Sequence, residues 1–248
     1  MTSSDFTNVY DDSVRADAYD KLEFPATYYL AYRDLPTLLS THVRGRRALD
    51  FGCGAGRSTR FLQGLGFATV GVDISGHMLA RARSRDPEGD YRLLPDGDLS
   101  SLAGERFDLV LSSFTFDNVP SMQGKTELFR AFGELLTEDG RFVNIVSAPE
   151  IYVHEWASFS TRDFPDNWHA RSGERVHIVM LDVDDRRPVE DIFFTDDAYQ
   201  EAYRRAGLEV TAIHRPLGDP GEPYPWVSET KISPWAIYVV RRDRGSAA

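Results

Sequence analysis

The sequence predicts an α/β protein built on a seven-stranded, mostly parallel sheet with an antiparallel last strand and helices on both faces. Three observations carry that expectation. Short apolar runs alternate with helical spacing across residues 47–146. The first run ends in a glycine turn, Gly52-Cys53-Gly54-Ala55-Gly56, and the second ends in an acid, Asp73. A proline-rich connection then separates the last two strand-like segments. Alternation of this kind makes a parallel sheet covered on both faces, because each parallel crossover needs a helix.

Taken in order, residues 1–45 form an N-terminal lid rich in tyrosine, with Tyr10, Tyr19, Tyr28, Tyr29 and Tyr32, and Pro25 and Pro36 punctuate two short helical stretches. Residues 48–51 are the first strand, 58–65 a helix and 69–73 the second strand. A helix over 76–84 turns Met78, Leu79 and Ala82 inward. Residues 91–94 and 107–112 are the third and fourth strands. Leu128, Phe129, Phe132, Leu135 and Leu136 lie at helical spacing, and Asp139-Gly140 turns the chain into a fifth strand over 141–146. The pattern breaks across 149–195, where 176–183 and 189–194 alternate like a hairpin, so a cap is expected after strand five. Thr195-Asp196-Asp197 starts a helix and Gly207 ends it. Residues 208–214 and 235–241 are the last two strands, the second antiparallel. We expect a single domain over 1–248, with a lid (1–45), a core (46–148 and 196–243) and a cap (149–195).

Composition narrows the function classes. A hydrophobic fraction of 42% and a charged fraction of 27% are those of ordinary globular chains. No apolar run approaches bilayer length, and the start, Met1-Thr2-Ser3-Ser4-Asp5, lacks the pattern of a signal peptide. One cysteine, Cys53, excludes an internal disulfide and a multi-cysteine zinc site, and the cytoplasm is the expected compartment. With Lys plus Arg 28 against Asp plus Glu 39, the net charge of −11 repels a phosphate backbone. The expected partner is a small molecule, with no nucleic acid, membrane or metal, acting on a monomer or homodimer.

In an open parallel sheet, ligands bind outside the carboxyl ends of the strands, which is where the glycine turn lies. Dinucleotide binding asks for Gly-x-Gly-x-x-Gly, but the residue three after Gly54 is Arg57, and the third glycine comes early at Gly56. The phosphate-gripping pattern ending in Gly-Lys-Ser/Thr is absent from the sequence.

Leu49-Asp50-Phe51-Gly52-Cys53-Gly54-Ala55-Gly56, followed by Val70-Gly71-Val72-Asp73-Ile74-Ser75, resembles the class I S-adenosylmethionine-dependent methyltransferases. Pro95-Asp96-Gly97-Asp98, Phe107-Asp108-Leu109-Val110-Leu111-Ser112 and Leu135-Leu136-x-x-x-Gly140-x-Phe142 extend the resemblance in the same order, over about residues 46–148 and again 196–241. It implies a Rossmann-like fold and S-adenosyl-L-methionine as cofactor, with S-adenosyl-L-homocysteine as product. By that resemblance, Gly52, Cys53, Gly54 and Gly56 pass beside the methionine part, with Asp50 near its amino group. Asp73 takes the ribose hydroxyls, and Ile74, Ser75 and Met78 meet the adenine. Asp96, Gly97 or Asp98 meets the adenine amino group, the Gly97-Asp98 pair pointing to Asp98. Ser113 and Phe114 line the methionine side. Arg33 resembles the arginine that some members use for the methionine carboxylate, a surface ion pair being the alternative.

The family's histidine pair after strand four is replaced here by Phe114-Thr115-Phe116-Asp117-Asn118. Methyl transfer rests on alignment, and a base is needed only for an acceptor such as an alcohol or phenol. Asp117 and His154 are the candidate bases, with Glu155, His169 and Asp191 behind them. Tyr19, Tyr28, Tyr29, Asn118, Tyr152 and Trp156 are candidates for an apolar or aromatic small substrate. The expected function is methyl transfer to oxygen, nitrogen or carbon of such a metabolite. A non-methyl reaction such as a cyclisation on the same fold, or a non-catalytic binding protein, stands as the alternative.

Overall fold

The structure, a computed structural model, describes residues 24–246, apart from the side chains of Asp96 and Ser246. Two short helices, α1 (Ala26–Arg33) and α2 (Leu35–His42), lead into β1 (Arg47–Phe51), α3 (Arg57–Gly64), β2 (Ala68–Asp73), α4 (Gly76–Arg85) and β3 (Asp90–Leu93). There follow β4 (Phe107–Ser113), α5 (Met122–Leu135) and β5 (Leu136–Ser147), then three short strands, β6 (Phe159–Ser160), β7 (Arg175–Met180) and β8 (Val189–Ile192). The chain closes with α6 (Asp196–Arg205), β9 (Leu208–His214) and β10 (Trp235–Arg242).

The main sheet has seven strands in the order β3-β2-β1-β4-β5-β10-β9. β1, β2, β3, β4 and β5 pair in parallel, and β10 runs antiparallel to both β5 and β9. The expected sheet, antiparallel strand included, is therefore the one observed. Strand order reverses between β1 and β4, which opens a crevice at their carboxyl ends.

Alternate residues of each strand feed two cores. Ala48, Leu109, Leu111, Val143 and Ile145 face the side covered by α1 and α2, whereas Leu49, Phe51, Val110, Phe142 and Val146 face α5 and α6. On the second face Phe51, Phe116, Phe129, Phe132, Phe142 and Tyr203 form one ring cluster, with Phe51 and Phe132 centroids 4.8 Å apart. Burying each such ring contributes about 1.5–3 kcal/mol.

One boundary differs from expectation. The turn expected at Asp139-Gly140 is an excursion within β5, which already pairs with β4 at Leu136 opposite Phe107 and resumes at Arg141 opposite Leu109. A side chain at Gly140 would come within 2.9 Å of the Phe107 carbonyl, so the close approach needs glycine.

Strands β6, β7 and β8 form a separate antiparallel sheet, with β8 packed on the 3-10 turn Thr115–Asn118 that leaves β4. Helix α1 is pinned where three segments meet. Thr27 Oγ1 donates to the buried Glu229, Thr27 N donates to Ser158 Oγ, and Trp235 Nε1 donates to the Thr27 carbonyl at 2.7 Å. Among the described residues no helix is long and apolar enough to cross a membrane.

Candidate cofactor and acceptor site

At the carboxyl end of β1 the turn glycines Gly52, Gly54 and Gly56 all have positive φ, 74°, 53° and 78°. Space adds to the conformational demand. A Cβ on Gly52 would fall 2.1 Å from Thr115 Oγ1, and one on Gly56 would fall 2.6 Å from the Tyr91 hydroxyl. Asp50, wholly buried in β1, fastens the turn to the start of α3: Ser58 Oγ and Thr59 Oγ1 donate to its Oδ2 at 2.7 and 2.6 Å. Burial pushes its pKa up to about 6 against the pull of those two hydroxyls. Its other oxygen, Oδ1, is buried with no hydrogen-bond partner among the described residues.

Asp73 ends β2 directly beside the turn. Gly54 N donates to Oδ2 and Ser75 N to Oδ1, each at 2.8 Å, which fixes the carboxylate plane. Burial raises its pKa while the backbone donors lower it. Ser75 caps α4 by accepting from Met78 N. Ile74 is 39% exposed, an apolar side chain left open at the lip, and Met78 packs close to Gly54. Asp96 falls in the 3-10 turn Pro95–Gly97, its side chain outside the described atoms, and Gly97 has a φ of 72°. Asp98 is exposed and accepts from Ser100 N at 2.8 Å and Ser100 Oγ at 2.6 Å. It thus caps the next 3-10 turn, Leu99–Leu102.

At the end of β4, Ser113 Oγ is 2.7 Å from the Tyr32 hydroxyl of α1. Phe114 follows with a φ of 62°, a left-handed conformation unusual for a bulky side chain. Its ring lies against Trp235 at 4.7 Å and Tyr28 at 5.7 Å, with Phe159 of the small sheet 5.1 Å from Tyr28. The Arg57 guanidinium lies over the rings of Phe24, Tyr28 and Tyr32 at 4.9, 5.6 and 6.0 Å.

Other sequence candidates stand elsewhere. Arg33 is engaged in a surface network: Nε and Nη2 donate to Asp34, and Nη1 donates to Glu222 and the Leu217 carbonyl. Tyr29 turns to the same side, its ring tilted against that of Tyr224 with centroids 5.0 Å apart. Asp117, a candidate base, is buried and accepts from Ser147 N and Oγ. Asp191 is likewise buried, accepting from the Tyr152 hydroxyl at 3.1 Å. Tyr152 and Trp156 belong to the core, 2% and 1% exposed, and Trp156 Nε1 donates to the Ile151 carbonyl. Glu155 accepts from Ser160 Oγ and Thr161 N, and His169 is exposed. His154 lies between Trp156 and Trp168, ring centroids 6.2 and 6.0 Å away. Asn118 Nδ2 donates to the Phe114 carbonyl at 3.4 Å. Cys53 points into a small cluster with Leu79, Ala82 and Tyr91. Tyr19 lies outside the described residues.

Sequence reasoning missed Ser58, Thr59 and Thr115. The adjacent hydroxyls of Ser58-Thr59, straight after a turn that begins with a buried acid, were a usable signal. Thr115 carried none, since its closeness to Gly52 is a tertiary contact. A cleft of about 450 Å³ lined by Leu39, Val43, Arg44 and Arg46 opens at the amino end of β1, the opposite end of the sheet from these residues. Among the described residues no group of three or more His, Cys, Asp or Glu is placed to hold a metal ion.

Known proteins resemble the chain in sequence and in fold. The chain is 29% identical over 142 residues to an uncharacterized methyltransferase of Bacillus licheniformis, spanning 56% of this chain and 62% of that protein. It is 36% identical over 88 residues to a malonyl-[acyl-carrier protein] O-methyltransferase of Enterobacter lignolyticus, 35% of each. The chain thus spans less than two thirds of either relative. Its fold matches the CcbJ methyltransferase of Streptomyces caelestis at 19% identity and a TM-score of 0.62, over 86% of this chain and 95% of that one. The model of the methyltransferase domain matches residues 26–213, and with the glycine turn, Asp73 and the strand order this places the chain in the class I S-adenosylmethionine-dependent methyltransferase family.

Proposed function

We propose that the chain moves a methyl group from S-adenosylmethionine to an oxygen, nitrogen or carbon of a small apolar or aromatic metabolite by in-line displacement, in the cytoplasm, as a monomer or homodimer. The observation that carries the cofactor role is the Asp73 carboxylate, held by Gly54 N and Ser75 N beside a turn of three positive-φ glycines. Each oxygen takes one backbone donor and keeps lone-pair capacity for one of two adjacent ribose hydroxyls. The residues fit the rest of that cofactor. Asp50 Oδ1 is a buried acceptor without a donor among the described residues, suited to the ammonium directly or through a water. Ile74 and Met78 offer an apolar plate for the adenine.

When bound, the cofactor supplies a methyl group already activated by the sulfonium. The chain's share of the work is to align and to exclude water. Tyr28, Phe114, Phe159 and Trp235 form a ring wall at the β4 exit, which supports an apolar or aromatic acceptor and suits a neighbouring cation. Asp117 is assigned no proton transfer. The names of the malonyl-[acyl-carrier protein] and ubiquinone-biosynthesis O-methyltransferases among the relatives support methyl transfer to oxygen as the first acceptor chemistry to assay. The test incubates the protein with methyl-labelled S-adenosylmethionine and panels of phenols, amines and activated methylene compounds. Label in the product at one methyl mass above the acceptor is the expected result. A product of unchanged mass, or no labelled product from any panel, contradicts the proposal.

A further inference from the structure

Three acid–base groups that the proposed reaction leaves unused are packed where the small sheet meets the core. Asp117 leaves β4, Lys125 lies on α5 and Asp191 on β8, and all three are buried, Lys125 completely. Asp117 accepts from Ser147 N at 3.1 Å and from Ser147 Oγ at 2.9 Å. Lys125 Nζ donates to the Phe116 carbonyl and stands over the rings of Phe194 and Tyr199 at 4.3 and 5.3 Å. Asp191 accepts from the Tyr152 hydroxyl. The other groups facing it are Glu190 of β8, whose carboxylate is paired with Arg175 and His177 of β7, and Tyr199 of α6; the β7 residue paired with Asp191 itself is Val176.

The charge count decides what this cluster does. Two carboxylates against one ammonium would leave an uncompensated buried negative charge, which is strongly unfavourable. The cluster is neutral when one carboxyl keeps its proton. Burial pushes Asp117 up to about 6 against the pull of its two Ser147 donors and of Lys125, which still leaves it the first of the two acids to ionise. Burial and then the negative charge of Asp117 push Asp191 up to about 8. Burial lowers Lys125 while both acids raise it, and the Phe116 carbonyl accepts a hydrogen bond from its Nζ.

We propose that Asp191 is a proton-held latch: as a neutral carboxyl it lets β8 dock on the turn Thr115–Asn118, and its ionisation loosens the small sheet from the core. That turn begins directly after Phe114, so the latch bears on the crevice wall. The direction follows from linkage. An undocked Asp191 titrates near the ordinary carboxylate value of about 4, so docking weakens as pH rises from about 4 to 8 and levels off above.

Asp191→Asn keeps a neutral polar group and removes the titration. At pH 8.5, trypsin is expected to cut wild-type protein after Arg175 of β7 at least fivefold faster than the Asp191→Asn variant, with equal rates after Arg204 on α6 as the internal reference. The thermal midpoint of the variant should gain on wild type between pH 5.5 and 8, by roughly 5 °C or more, and hold steady above. Should the variant fail to fold, carboxyl-carbon NMR of wild-type protein labelled at aspartate gives an independent reading: one aspartate carboxyl is protonated at pH 7. Equal cutting at Arg175, a pH-independent difference in midpoint, or no protonated aspartate at pH 7 overturns the latch.

Discussion

Thr27 Oγ1 donates to Glu229 Oε1 at 2.6 Å, and the same carboxylate oxygen accepts from Ala157 N at 2.7 Å. One buried side chain thereby joins helix α1, the segment before β6 and the proline-rich connection before β10. Glu229 Oε2 accepts from Val227 N as well, so Glu229 is satisfied by three donors inside the protein. Thr27→Val removes this donor together with the acceptor of Ser158 N, and leaves shape nearly unchanged. We expect a loss of about 1–3 kcal/mol in urea unfolding, recovered in Thr27→Ser. Wild-type stability in Thr27→Val would contradict the role given to this pair.

Asp50 gives a pH-dependent prediction with a defined sign. Its folded pKa, raised by burial to about 6, exceeds the unfolded value of about 3.9, so the folded state holds the proton more tightly between those values. Stability contributed by the protonated form is therefore full below about pH 4 and falls as pH rises to about 6. Relative to wild type, Asp50→Asn should become more stable across that window, by up to roughly 3 kcal/mol, and stay level above it. Chemical unfolding at pH 4, 5, 6 and 7 reads the difference; a flat difference contradicts the ionisation assigned to Asp50.

Cys53 is 4% exposed, and burial raises its thiol well above the usual range. Ellman's reagent should react with the native protein at least tenfold more slowly than with protein in urea. Equal rates would place the thiol in the open crevice instead of the Leu79, Ala82 and Tyr91 cluster.

Arg33 separates two roles for one side chain. Its ion pairs with Asp34 and Glu222 are partly exposed, and such pairs contribute about 0–1 kcal/mol. Arg33→Ala should bind S-adenosylhomocysteine within twofold of wild type, with stability reduced by no more than about 1 kcal/mol. A tenfold loss of affinity in calorimetry would return Arg33 to the cofactor.

Much of the fold could be read from sequence because local physics determines it. Apolar runs such as Leu109-Val110-Leu111 are buried on both faces, so they declare a central parallel strand without further context. Glycines at 52, 54 and 56 declare a turn because other residues resist that backbone. The aromatic candidates were harder. Tyr28, Tyr152 and Trp156 look alike in sequence, but only Tyr28 reaches the Phe114 wall, while the other two meet the Asp191 and Ile151 sides of the core. Asp117 illustrates the same limit. An acid after strand four suits a base or a buried anchor equally, and the partner that bears on the choice, Ser147, lies thirty residues on. Glu229 carried no local signal, since its three donors come from Thr27, Ala157 and Val227.

The central claim is that Asp73 grips the ribose of a sulfonium nucleoside cofactor, and isothermal calorimetry with S-adenosylhomocysteine tests it most directly. Two hydrogen bonds to a charged acceptor contribute about 1.5–3 kcal/mol each, so Asp73→Ala should weaken binding by roughly 100-fold or more. The carboxylate is already positioned by Gly54 N and Ser75 N, and the loss should therefore appear in affinity with the fold retained. No heat with the wild-type protein, or equal affinity in wild type and Asp73→Ala, contradicts the account.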